Sequence, residues 1–461
     1  MKKSLYASAG CALVTTFAAA GTVAAQGAPP KIAVRMLPAA MATSTDTLGS
    51  IAAVRQLPNG NVLVNDQTRR RVVMLDKDLK MVALVADSTS STNNAYGVRP
   101  GGMITYRGDS TLFIDPAGLS MLVIDPAGKI VRTMAAPRPN DVQFMTVPAF
   151  GAPGFDAQNR LVYRQLDFGM RGMRAPEPGK PFVPPAPPDS SVLVRFDLVS
   201  RKLDTLGFFK IPKSSVSATQ DANGRMNISV TVNPLPVVDE WSVMSDGAVA
   251  IVRGQDYHVD YFDANGRKTS AEKIPYDWQR LNDDDKQRFL DSAKVAMEAA
   301  RKAAASGGAN GMQQMANAMG MGGGGGTPMT VTMTRTGDGP PRMDAGGPPP
   351  AGGAPRPAGG DGGLQMPPIN MVSASELPDY KPVFGTSSVR ADMDNRIWVR
   401  TIPTKVTTGG AIYDVIDRNG KLVDRVQVPA NTTIAGFGAG GVVYLGMRDA
   451  QGVHLQRIVT K

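Results

Sequence analysis

The sequence holds a single cysteine, Cys11, and only two histidines, His258 and His454. Cys11 lies inside the first thirty residues, "MKKSLYASAGCALVTTFAAAGTVAAQGAPP". Lys2 and Lys3 form a basic start, a small and apolar stretch follows, and Val23 and Ala25 are placed for a signal peptidase. This pattern predicts an export signal over residues 1–25, with cleavage after Ala25 and a periplasmic or secreted location. The stretch is too short and too rich in Ala and Gly to predict a transmembrane anchor. "SAGC" lacks the usual Leu of a lipobox. The mature chain is therefore expected to be free of cysteine, which excludes disulfides, thiolate nucleophiles and Cys-based metal sites. Its stability must come from packing.

Other signatures are missing as well. No G-x-S-x-G marks a nucleophile elbow. The glycine run Gly322–Gly326 has no Lys-Ser/Thr after it and no strand-to-helix context, so it is not a phosphate loop. "DDD" at Asp283–Asp285 reads as a helix start, and "DANG" and "DRNG" read as turns without the later ligands of a calcium loop. His258 and His454 alternate with apolar neighbours, which suits strand side chains better than a zinc site. The net charge is +10, two charges of which leave with the signal. The basic residues are scattered apart from Arg69–Arg71, and no aromatics interleave with that cluster, which reads as a solvated strand edge. No nucleic-acid partner is expected.

What is present is a repeat. "LPNGNVLVNDQTRRRVVMLDKDLKMVAL" (57–84) is a series of short apolar bursts separated by turns. Alternating β-branched residues around Asn59-Gly60 predict a hairpin. The unit is strand, tight turn, strand, connection, strand, tight turn, strand. It returns as "GGMITYRGDSTLFIDPAGLSMLVIDPAGKIVRTM", in "FDAQNRLVYR" with "SSVLVRFDLVSRKLDTLGFF", then as "DEWSVMSDGAVAIVRGQDYHVDYFDANGRKTSAEKI" and "SSVRADMDNRIWVRTIPTKVTTGGAIYDVIDRNGKLVDRVQV". The sixth copy, "IAGFGAGGVVYLGMRDAQGVHLQRIVTK", has three strands only. A period of about 45 to 50 residues is that of propeller blades. "KIAVRML" (31–37) is an unpaired strand-like segment, and pairing it with the last copy would complete that blade and remove two sheet edges. The expected fold is all-β, a six-bladed β-propeller closed by the N-terminal strand. Residues 26–275 would hold blades one to four with the closing strand 31–37, and residues 382–461 blades five and six.

The "LPNGNVLVND…RVVMLD" unit and the "DANGR" and "DRNGK" hairpins resemble six-bladed propellers of the NHL and TolB-like type. Such motifs specify the blade rather than an activity. The resemblance implies a range from binding platforms to lactonases and lyases.

Three segments break the repeat: Gly169–Asp189, about Lys213–Asn233, and residues 276–381. The last is expected to start with a helix capped by Asn282 or Asp283, with an apolar stripe of Leu281, Phe289, Ala293, Ala296, Met297 and Ala300 packed on the propeller. A Gly/Pro-rich run to about Pro368 follows, and its composition cannot bury enough apolar surface to order itself. In a propeller, second-to-third connections and blade-to-blade connections share one face, and the remaining turns share the other. All three insertions fall in the first set. This predicts one decorated working face and one plain face.

The decorated face also receives Asn65, Asp66, Asp115, Arg164, Arg253 and Arg400 at second-strand ends, and Asp239 and Glu240 at a first-strand start. The candidate ligand-binding rim is therefore Asp66, Asp115, Arg164, Asp239, Glu240, Arg253 and Arg400, with arginines suited to carboxylate or phosphate. Strand-end capping and pairing across blades is the competing role for these side chains. Asp239 and Glu240 are neighbours on a strand and should point apart. Two functions follow from the sequence. One is an exported, monomeric, non-catalytic propeller binding a protein, peptide or glycan without a cofactor. The other is a lactonase-like hydrolase or lyase using carboxylates and Ca2+ in the funnel.

Overall fold

The computed structural model describes residues 32–88, 96–142, 145–147, 150–165, 188–212, 215–220, 226–305, 331–334, 342–345, 369–404 and 407–460. The expected export signal, nearly all of 169–189 and most of the Gly/Pro-rich run lie outside these residues.

The chain forms a six-bladed β-propeller. Blade one is Ala53–Gln56, Val62–Asp66, Arg71–Leu75 and Met81–Ala86, an antiparallel four-strand meander. Blade two runs from Gly102–Thr105 to Ile130–Ala135, blade three from Gly154–Phe155 to Leu203–Lys210, and blade four from Glu240–Val243 to Lys268–Ser270. Blade five holds Val389–Ala391, Ile397–Arg400, Ile412–Ile416 and Leu422–Gln427. Blade six holds Thr432–Gly438, Val442–Arg448 and Val453–Val459. First strands of blades one to five touch in succession, and that of blade six touches that of blade one, so the first strands wall the central channel.

A four-strand sheet cannot bury both faces alone, and here each blade is covered by its neighbours. The six gaps between blades hold six apolar clusters. Val64 and Val73 of blade one, for instance, pack with Tyr444 and Leu455 of blade six, which is the seam where the ring closes. On the plain face, Asp76, Asp125, Asp156, Asp263, Asp392 and Asp417 each use Oδ1 to accept the backbone N–H groups two and four residues on, at 2.8–3.0 Å. This side-chain mimic of a backbone turn fixes the tight hairpins and leaves little room for insertion there.

The N-terminal segment closes the ring, but the strand that does so differs from the expected 31–37. Ala42–Thr43 pairs antiparallel with Val453–Val459 and supplies the fourth strand of blade six. Val34–Met36 instead lies parallel to Leu422–Gln427 as a fifth, outer strand of blade five, held there by Arg35 and Asp424 at 2.6 Å. A fourth blade strand must run antiparallel to the third, and the chain must then reach the first strand of blade one. Ser44 meets that constraint. It is buried, its N–H donates to Leu455 O (2.8 Å), and its Oγ accepts from Leu455 N (3.0 Å). His454 lies in the same seam, with Nδ1 2.9 Å from Ser44 O.

The insertions fold together. Ser215–Gln220 and Met226–Val232 form a hairpin, and Ile369–Met371 at the far end of the largest insertion adds to it in parallel. The helix Asp283–Ala305 is capped as expected: Asn282 Oδ1 accepts from Asp285 N (2.8 Å) and Asp285 Oδ2 accepts from Asn282 N (3.2 Å). Its docked face is narrower than the predicted stripe, with Leu281 and Phe289 of that stripe packed in the cluster and Leu290 added to it. Leu290 is buried with Leu235 and Leu377, Phe289, Ala293 and Met297 are half-buried, and Ala296 is exposed. Lys286 replaces an apolar residue in that face, buried along its stem with Nζ 2.7 Å from the exposed Asp379. Leu235 precedes blade four, and Ile402, packed on the same cluster, lies in the second-to-third connection of blade five. The inserted layer therefore stands on the connection face.

Candidate functional site

At the connection face, the start of each first strand and the end of each second strand reach the mouth of the channel. Glu240 opens the first strand of blade four. Successive strand side chains alternate, so Asp239 and Glu240 diverge. Asp239 turns outward: Oδ2 accepts from Lys210 N and Arg253 Nη1, both at 2.9 Å, and Oδ1 accepts from Gly254 N at 3.1 Å. Glu240 faces blade five, accepts the Ser387 backbone N–H, and lies within electrostatic reach of Arg164 and Arg400. Burial raises its pKa to about 8; the Ser387 hydrogen bond and the two guanidiniums pull the other way.

Arg164, at the end of the second strand of blade three, donates from Nε to Ser191 Oγ at 2.9 Å. Its guanidinium lies over the rings of Phe150 and Phe209, 5.0 and 5.4 Å from their centroids. Such stacking holds the planar fork in place. Burial lowers its pKa to about 10, against the pull of Glu240. Arg400 ends the second strand of blade five, opposite Tyr413 in register. Arg390 occupies the middle of the first strand of that blade, opposite Trp398. By alternation, Arg390, Trp398 and Arg400 share one face of the sheet, and the Arg400 charge adds to burial in depressing the Arg390 pKa.

Of the seven rim residues expected from sequence, Arg164, Glu240 and Arg400 share this neighbourhood. Asp239 and Arg253 belong to a network on blade four instead. There Arg253 Nε lies 2.7 Å from Asp260 Oδ2, with Lys268 Nζ 2.9 Å away. Asp66 and Asp115 close their own connections. Asp66 Oδ1 accepts from Gly49 N and Ser50 N (both 3.0 Å) while Oδ2 meets Arg71 Nε (3.0 Å). Asp115 accepts from Ala117 N and Gly118 N, both at 3.0 Å. Asn65 is locked between Gly101 O (2.8 Å) and Tyr96 Oη (3.1 Å). His258 is held between Asp256 (2.7 Å) and Asp260 (3.4 Å). Among the described residues, no three His, Cys, Asp or Glu side chains gather as a metal site would require.

Arg390 was not anticipated. The signal was available: in "SSVRADMD" a lone arginine stands mid-strand between Val389 and Ala391, where a channel-wall strand has no solvent face to give it.

Beside the mouth, aromatic rings tie the insertion to the propeller. Tyr257 is fully buried and donates to Asp414 Oδ2 (3.0 Å). Its ring meets Tyr276 edge-on at 5.8 Å, and Tyr276 meets Trp278 at 5.5 Å. Trp278 and Tyr380 remain exposed at 36% and 50%.

No protein-family model matches the sequence, and no curated protein matches it. Solved structures match the chain at low identity. A putative exported protein from Bacteroides fragilis is 10% identical over 94% of this chain and 95% of its own, with a TM-score of 0.37. A catalytically inactive virginiamycin B lyase from Staphylococcus aureus with quinupristin is 10% identical over 90% of this chain and 97% of its own, with a TM-score of 0.33. The calcium-binding protein regucalcin from Agrobacterium tumefaciens is 10% identical over 93% of this chain and 98% of its own, with a TM-score of 0.34.

Proposed function

We propose that this chain is an exported, non-catalytic β-propeller that binds a ligand or partner protein on its insertion-bearing face, acting as a monomer without a cofactor. The observation that carries this reading is the union of two insertions, distant in sequence, through the parallel pairing of Thr231 with Asn370. Ordering two long segments against each other costs conformational entropy that the propeller itself does not need spent. A shared layer on the face that bears the channel mouth gives that ordering a purpose. The test replaces residues 306–368 with a short Gly/Ser linker, leaving the helix and Ile369–Met371 in place. A second variant removes 276–381 altogether. Partners recovered from a periplasmic extract by the intact protein should be lost from the second variant. Equal recovery by all three proteins overturns the reading.

A funnel hydrolase or lyase is the second reading, and Glu240 favours it. A carboxyl held in its acid form near neutral pH is the kind of group that serves as a general acid. In that reading Ca2+ would be recruited at the mouth. Turnover of a lactone panel that disappears in Glu240→Gln, together with a calcium-dependent rise in melting temperature, would establish it in place of the first.

A further inference from the structure

We propose that the channel mouth binds an anion through Arg390, with Arg400 beside it and Arg164 across the Glu240 carboxyl, and that the ligand presents carboxylate or phosphate oxygens. This rests on the insertion-bearing face being the working face and names the chemistry it takes.

The argument starts from cost. A guanidinium removed from bulk water must be repaid by hydrogen bonds or an opposite charge. Several arginines on blade faces are paired in this way: Arg71 has Asp66, Arg253 has Asp239 and Asp260, Arg396 has Asp392, and Arg425 has Asp414, at 2.7 to 3.0 Å, whereas Arg195 and Arg457 each keep a buried Nε without a partner among the described residues. Arg390 has no hydrogen bond or ion pair among the described residues. Of the groups that act on it electrostatically, Tyr413 raises its pKa and the Arg400 charge lowers it. It stands on a three-residue first strand, Val389–Ala391, at the centre of the ring. It remains half-buried, so water and solutes reach it, while the protein packed around it still depresses its pKa. An enclosed cation that keeps solvent contact and has no partner among the described residues describes one half of an ion pair.

The neighbours fit the other half. Arg164 is fixed between two rings with its Nε on Ser191, which leaves the planar fork oriented. Glu240 is the acid of the group, and its protonated form donates a hydrogen bond instead of repelling an anion. Arg164 and Arg400 both lie within electrostatic reach of Glu240, and Arg400 is in reach of Arg390. Arginine forks match the planar oxygens of a carboxylate and the tetrahedral oxygens of a phosphate.

The experiment uses citrate and inorganic phosphate as probes, in separate arms, at constant ionic strength with chloride as the control. At about 100 times its Kd, a bound anion should raise the melting temperature by about 3 °C for a protein of this size. Arg390→Met keeps the stem and removes the charge. It should weaken binding of the active probe at least tenfold and leave the melting temperature without probe equal or higher, because an unpaired charge has gone. If Arg390→Met fails to fold, bromide soaked into crystals of the unaltered protein gives the second readout, with an anomalous peak expected at the Arg390 guanidinium. Citrate binding with Arg390 dependence identifies a carboxylate ligand, and phosphate binding a phosphorylated one. No response to either probe beyond chloride, or binding unchanged in Arg390→Met, overturns the proposal. Neither result touches the partner-recovery test, which reads the insertion and not the mouth.

Discussion

Thr43 lies opposite Gln456 in an antiparallel pair, so a residue near the start of the described chain and one near its end share the last blade. A closed ring has no exposed sheet edge at the seam, and the seam should therefore control unfolding of the whole propeller. Ser44 is its most constrained member. Ser44→Pro removes the N–H to Leu455 O and the hydroxyl that satisfies Leu455 N. Each buried group left unpaired costs about 1–3 kcal/mol. The expected outcome is a loss of about 2–5 kcal/mol in urea unfolding. A change under about 0.5 kcal/mol would place the closure elsewhere.

Glu240 should make stability fall as pH rises. Its folded pKa of about 8 lies above the ordinary 4.5, so the folded chain holds a proton that the unfolded chain has released between those values. The favourable contribution is complete below about pH 4.5 and is lost as pH climbs towards 8. The charged groups that act on it are Arg164, Arg400 and, from the neighbouring residue, Asp239. Glu240→Gln should flatten the decline in urea midpoint between pH 5 and 8.5. Parallel curves for the two proteins would show that the carboxyl is ionised throughout.

Asp260 should act in the opposite direction. Burial opposes its ionisation, but hydrogen bonds from Ser270, Lys268 and Arg253 outweigh that and hold the pKa at about 2. Its contribution is present above the ordinary 3.8 and is lost as pH falls through about 2. Asp260→Asn should cost about 3 kcal/mol at pH 7, the scale of breaking a buried pair. It should also remove part of the acid limb of the stability profile. An unchanged acid midpoint would contradict the network.

The six blades were legible in sequence because each carries its own hairpins and because period-2 alternation survives in every copy. The closing strand was not. Ala42–Thr43 sits in "AAMATSTDT", too short and too polar to look like a strand, and its place is set by Ser44 and His454 across the seam. The rim was half legible. Position along the strand put Arg164, Glu240 and Arg400 at the mouth, but nothing local reveals that Asp115 uses up its oxygens on nearby backbone N–H groups and Asp66 on backbone N–H groups and Arg71. The helix docking was legible in Leu281 and Phe289, but Leu290 and Lys286 were not, because Lys286 is charged by type and is buried only by its stem.

Leu290 supplies a separate check on the insertion. With Leu235 and Leu377 it forms the small core under the helix. Leu290→Ala should cost about 2–5 kcal/mol at that site alone. Limited proteolysis should then cut within 283–305 at least tenfold faster, while the melting temperature of the propeller stays within about 1 °C. Equal cleavage rates would mean that the helix is not held through this contact.

The joining of two distant insertions into one layer is tested most directly by a cysteine pair. Cys11 is the only native thiol, and it lies in the expected signal, so Thr231→Cys with Asn370→Cys gives a clean readout. Directly paired strand residues are close enough for a disulfide under mild oxidation. The expected result is near-complete cross-linking within the monomer, seen as a mobility shift on a non-reducing gel that reductant reverses. Two thiols that remain free and react independently with an alkylating reagent would contradict the shared layer, and with it the binding face.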